Sequence, residues 1–107
     1  MKMSNQEWVW DADLQCYMTE SKDVIILIDK EDYPACDDHT WSKCELSNGS
    51  YYIQAGVTND GVHLHMLIER LVMNAKPGET VRRIDASDKC IFDARRKNLV
   101  VKRRSKL

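Results

Sequence analysis

The sequence predicts a small domain of the α+β class, antiparallel β-hairpins packed on one main helix, and three observations carry that prediction. Residues 24–28, Val-Ile-Ile-Leu-Ile, form a mostly β-branched apolar run bounded by charge, the pattern of a buried strand. Asn48-Gly49 separates two short segments, and this pair signals a hairpin because both residues tolerate the positive φ of a tight turn. Leu64, Leu67, Ile68, Leu71 and Val72 fall at helical spacing within residues 62–74, which turns one face of a helix into the core.

The remaining elements follow in order. Residues 1–23 read as an N-terminal arm, irregular or an edge strand, with Trp8 and Trp10 as aromatic anchors, set before a domain at residues 24–107. After the strand at 24–28, Pro34 among acidic residues predicts a turn and a short helix within 29–38. Segments 41–46 and 51–55 flank the Ser47–Ser50 turn as a hairpin. Asn59-Asp60-Gly61 gives a second turn signal leading into the predicted helix at 62–74, and Lys76-Pro77-Gly78 stops that helix. A short apolar-basic strand from Thr80, a polar loop, and a strand from Asn98 through Val101 complete the chain.

At 107 residues the chain has room for one core and one site. Its longest apolar run, 24–28, is far too short to span a bilayer, and the first ten residues lack a basic-then-apolar secretory pattern, so a cytoplasmic protein is expected. Cys16, Cys36, Cys44 and Cys90 contain no C-x-x-C pair, which favours buried thiols over a zinc site and leaves a disulfide open. The net charge of −1 conceals an asymmetry. Residues 1–81 carry six Lys and Arg against fourteen Asp and Glu, net −8, whereas residues 82–107 carry ten against three, net +7. A basic segment of that density suits phosphate, and it equally suits packing against the acidic part of its own fold.

The order of segments ILIDKEDY, a single Trp41, SNGSYYIQAG, ERLVMNAKPGETV, IDA and DARRKNLVV resembles the small phage-type HNH homing endonucleases over residues 24–101. The resemblance implies a ββα-metal unit. In that unit an Asp-His pair ends the first strand, with His as general base and Asp on a divalent metal. Here the matching positions are Arg82 and Arg83. A guanidinium stays protonated at physiological pH and offers a metal no lone pair, so the resemblance implies a degenerate relative without a catalytic site, metal or cofactor. Asn98 matches a structural Asn of the family, and Trp41 its core tryptophan. The family's closing helix would place a metal ligand near position 107, where this chain has Leu107, so an HNH-like ββα unit lacking its final helix is expected. Glu69-Arg70-Leu71 stands where the family has His-Arg-Leu.

Two clusters elsewhere in the chain offer substitutes for the lost site. His63 and His65, two apart on another element, are expected at the surface or partly packed rather than as a new base. Asp85, Asp88 and Asp93 are expected to make local salt bridges rather than hold an ion. Packing is expected for all three tryptophans, with partner anchoring the alternative for Trp8 and Trp10.

Function is therefore expected to come from binding. The first expectation is a phage or mobile-element protein that inhibits a host nucleic-acid-handling or defence complex, of anti-CRISPR type, by occlusion, with the acidic segment competing for a basic channel. The second is a non-cutting DNA or RNA binder that sets Arg82, Arg83, Arg95, Arg96, Lys97, Lys102, Arg103, Arg104 and Lys106 on phosphates. A metal-dependent nickase is the third, and it needs an unrecognised metal site. Partners are thus a host protein or ribonucleoprotein, or nucleic acid, without a membrane; a homodimer is compatible with the sequence.

Overall fold

A computed structural model describes residues 6–103. Nine strands and two short helices are found among them, in the order β1 (Val9–Asp11), β2 (Cys16–Ser21), β3 (Val24–Ile28), α1 (Tyr33–Asp37), β4 (Ser42–Glu45), β5 (Tyr51–Asn59), β6 (Val62–Leu67), α2 (Ile68–Met73), β7 (Glu79–Arg83), β8 (Ile91–Asp93) and β9 (Leu99–Arg103). The α+β class with antiparallel hairpins is observed as expected, with one parallel pair, β3 and β8, added to it.

Strand β3 lies inside a four-stranded sheet of order β1-β2-β3-β8. Its register sets Thr19 against Ile26 and Ile26 against Phe92, so these side chains share the core-facing side. The segment expected as an arm or edge strand is a hairpin: β1 is the edge, and β2 pairs along its length with β3. Cys16 and Thr19 are buried within it. Their modest hydrophobicity is why the segment reads weakly as a strand.

The turn at 47–50 closes β4 onto β5. Gly49 sits at φ +88, and the Asn48 Oδ1 accepts hydrogen bonds from the Ser50 amide and hydroxyl. The helix expected at 62–74 is corrected in its first half. Residues Val62–Leu67 form β6, antiparallel to β5, and only Ile68–Met73 are helical. Asp60 at φ +51 and Gly61 at φ +79 make a two-residue turn whose twist matches a hairpin, and Val62, Leu64 and Met66 also satisfy a period of two. Leu64, expected in the core, is consequently 51% exposed. Asn74, in the left-handed conformation at φ 50, ends α2 ahead of Pro77.

The core joins both larger sheets and the helices through Val24, Ile26, Ile28, Trp41, Ile53, Ile68, Val72, Phe92 and Leu99. Trp41 is 1% exposed and its Nε1–H donates to the Cys36 carbonyl at 2.8 Å. Trp8 packs against this cluster, whereas Trp10 stays partly exposed, edge-on to Tyr17 at 5.1 Å. The cysteines are all free. Cys16 and Cys36 are buried as expected, and burial, helped by Asp32, pushes the Cys36 thiol up to about 12; Cys90 is exposed, which corrects the expectation of four buried thiols. No helix among the described residues is long and apolar enough to cross a membrane.

Candidate nucleic-acid interface

The basic segment folds as an antiparallel ribbon of β7 and β9, with Val81 opposite Val101 and Arg83 opposite Leu99. Alternation along the ribbon divides its cations between two faces. Arg82 and Lys102 lie on the exposed face with Thr80 and Val100. Arg83 turns inward, its guanidinium 4.0 Å from the centre of the Phe92 ring, a cation–π contact.

The other expected phosphate ligands are largely engaged within the molecule. Arg95 forks onto Asp93, Nε to Oδ1 at 2.8 Å and Nη2 to Oδ2 at 2.7 Å. Arg96 forks onto buried Asp32, Nη2 to Oδ1 at 2.7 Å and Nε to Oδ2 at 3.1 Å, while its amide donates to Asp29. Arg103 Nε meets Glu79 Oε2 at 3.1 Å. Lys97 is exposed in the 3₁₀ turn at Arg96–Asn98, before β9. Arg104 and Lys106 lie outside the described residues. Of the nine positions expected to form one phosphate-binding set, the described ones without an ion-pair partner are therefore Arg82, Lys97, Lys102 and the ring-stacked Arg83.

Each ion pair also marks its cation or its carboxylate electrically. The hydrogen bonds they donate to Asp93 and Asp32 hold Arg95 and Arg96 more firmly protonated than usual. Glu79 is held below the usual carboxylate range, first by the Lys76 amide and then by Arg103. Arg95 and Arg96 are structural cross-links, and a phosphate would have to compete there with a carboxylate already in bidentate contact, whereas Arg103 makes a single contact from an exposed side chain.

Asp85, Asp88 and Asp93 do not share an ion-binding geometry. Asp85 accepts from the Ser87 amide and hydroxyl, Asp88 from the Cys90 amide, and Asp93 is paired with Arg95. Only for Asp93 does the expected salt bridge hold; the other two brace turns. Among the described residues the carboxylates close enough to share a cation are Asp29, Glu31 and Asp32, and the cation already between them is the Arg96 guanidinium. Sequence reasoning missed that pairing, although DKED at 29–32 and RRK at 95–97 are complementary in charge. His63 and His65 lie on β6, exposed and on a different sheet from the ribbon.

Glu69 is the second group that sequence reasoning missed. It opens α2, its Oε1 is buried without a hydrogen-bond partner, and burial raises its carboxyl above the ordinary range against the opposing pull of Arg83 and Arg70. An acid whose folded pKa exceeds its unfolded value binds more protons in the native state, so its contribution becomes unfavourable as pH rises through that window. Glu69→Gln is accordingly expected to stabilise the fold at pH 7 by about 1 kcal/mol, raising Tm by about 4 °C. The gain should shrink as pH falls and wild-type Glu69 takes up its proton; paired thermal melts at pH 7 and pH 4 measure it.

Comparison with family models, with curated proteins and with solved structures gives no match.

Proposed function

We propose that the chain is a non-catalytic binding protein of a phage or mobile element, descended from an HNH-type endonuclease scaffold, that inhibits a host nucleic-acid-handling or defence complex by occluding a basic surface in the host cytoplasm. The observation that carries this reading is where the charge is left free. Three arginines of the basic segment are tied to carboxylates, while Glu7 and Glu20 border an open groove of about 490 Å³ on the outer face of the four-stranded sheet. Val9, Met18 and Ile25 line that groove beside them, and Val9 is more than half exposed. An apolar floor with an acidic border suits a basic, partly apolar protein segment.

The HNH-type origin draws support from the β7–β9 ribbon and from Asn98, which bonds both ends of the intervening loop where the resemblance puts a structural Asn. Arg82 and Arg83 support the absence of hydrolysis, because neither can accept a proton from water. The test is capture of host complexes on the immobilised chain with and without nuclease treatment. A nuclease-resistant partner that is lost with the Glu7→Lys/Glu20→Lys double variant and retained with Arg82→Ala/Lys102→Ala is expected. Retention by the first variant and loss by the second would overturn the reading.

The second reading, a non-cutting DNA or RNA binder, draws on one observation: Arg82 and Lys102 share the exposed face of the ribbon. The slope of log affinity against log salt separates the two. The three free cations among the described residues contribute about −3 to the slope on duplex DNA, whereas all nine expected positions would give about −8. A shallow slope and negligible affinity at 150 mM salt are expected by fluorescence anisotropy.

A further inference from the structure

The β5–β6 hairpin extends beyond the sheet that carries it. β4 pairs with Tyr51–Gln54 only, so from Ala55 onward β5 has β6 as its single neighbour, and β6 is the open edge of the three-stranded sheet. One face of the hairpin continues the core: Ile53 and Ala55 are buried, and Val57, Leu64 and Val62 follow on the same side with Val62 and Leu64 largely exposed. The other face carries His63 and His65. Their rings are 5.2 Å apart and nearly perpendicular, and both side chains are exposed.

The local sequence makes room for this pair. Gly56 lies opposite His65, and a Cβ at Gly56 would meet the His63 ring at 3.0 Å, so glycine there lets the imidazole lie over the β5 backbone. Thr58 Oγ1 lies 3.5 Å from His63 Nδ1 and the ring rests over Gly56, so a turn about χ1 of this exposed side chain carries Nε2 from β5 to the open edge. Neither β5 nor β6 contains a charged side chain; Asp60 in the turn and Glu69 and Arg70 at the start of α2 are the nearest in sequence. That departs from the usual protection of edge strands by lysine, proline or inward charge.

We propose that β6 is a metal-closed homodimer edge: two copies pair antiparallel through Leu64, and His63 and His65 of both copies hold one zinc-class divalent ion. An edge free of charge meets itself without repulsion. Centring the pair on Leu64 sets His63 of one copy beside His65 of the other, on one face, where directly opposed Cβ atoms lie about 5 Å apart. Four neutral imidazoles complete the tetrahedral set that two leave half filled. On the opposite face Leu64 meets its own copy and Val62 meets Met66 of the other copy, extending each apolar strip. A six-residue edge is far smaller than a standard interface of roughly 1,600 Å², so the ion is what makes the pairing stable.

Sedimentation velocity of the full chain tests this, with zinc chloride added at one ion per two chains and then removed by a chelator. Expected are a monomer without zinc, a reversible dimer with it, and slowed hydrogen exchange of the β6 amides in the dimer. His63→Ala/His65→Ala should abolish zinc-driven dimerisation, which excludes Cys44 and Cys90 as the ligands. Leu64→Lys keeps both imidazoles but places two cations at the dyad; the dimer should be lost and zinc affinity should fall at least tenfold. Far-UV circular dichroism confirms that these exposed substitutions leave the fold intact. A chain that stays monomeric with zinc, or a zinc dimer that survives loss of both histidines, overturns the proposal.

Discussion

Arg96→Ala is expected to lower stability by about 3 kcal/mol, a fall in Tm on the order of 10–15 °C by calorimetry. Asp32 is 6% exposed, where the 3₁₀ turn at Lys30–Asp32 meets α1, and the Arg96 fork occupies both its carboxylate oxygens. Removing the guanidinium leaves a buried, uncompensated charge that must be resolvated or protonated. The effect sits at the lower end of the range for broken buried pairs because the Arg96 side chain is itself about half exposed, so water already reaches one partner. That asymmetry predicts the order of the variants. Asp32→Ala should be milder than Arg96→Ala, since the freed arginine turns back to solvent, and the double variant Asp32→Ala/Arg96→Ala should recover part of the loss. If Arg96→Ala melts with wild type and instead weakens nucleic-acid binding, Arg96 belongs to a phosphate surface and the internal cross-link is the wrong account of it.

The same pair shows why only part of the molecule could be read from the chain. Strand β3 and the hairpin at Asn48-Gly49 are legible because their signals are local: β-branched residues in one case, turn chemistry in the other. Residues 62–67 carry two local signals at once, a helical set through Leu64 and Leu67 and an alternating set through Val62, Leu64 and Met66. The Asp60-Gly61 turn decides between them by bringing the segment back along β5. The density of cations after residue 81 is visible in the sequence, but the fate of each depends on residues far away. Asp32 and Arg96 are 64 positions apart, and Glu79 and Arg103 are 24 apart. Charge composition therefore identified a basic segment and overstated how much of it is available to a ligand. Within the ribbon, the period of two separates Arg82 from Arg83, a distinction the sequence contains once β7 is taken as a strand with Val81 facing inward.

Asn98→Ala is the second large effect, about 2 kcal/mol, and Asn98→Asp should exceed it. Asn98 is 8% exposed and its amide is fully used: Oδ1 accepts the Asp85 amide at 2.9 Å, and Nδ2 donates to the Asp85 and Asp93 carbonyls at 3.0 Å each. Its backbone adds a bond from the Ile84 amide to its carbonyl at 2.7 Å. One side chain thereby fixes the end of β7, the start of β9 and the loop between them. Alanine leaves one donor and two acceptors without a protein partner, though water can reach Asp85 at the surface and limits the cost. Aspartate keeps the acceptor for the Asp85 amide but turns the two donated bonds into contacts between a carboxylate and carbonyl oxygens. The consequence is local before it is global: amide exchange at Ile84 and Asp85 should accelerate in Asn98→Ala, while the Ala94 amide, bonded to the Leu27 carbonyl in the other sheet, keeps its protection. Equal acceleration at all three sites would mean that Asn98 supports the whole domain and not this loop alone. Because Arg82 and Lys102 keep their charge in Asn98→Ala, any partner affinity lost with it reports the rigidity of the ribbon rather than its electrostatics.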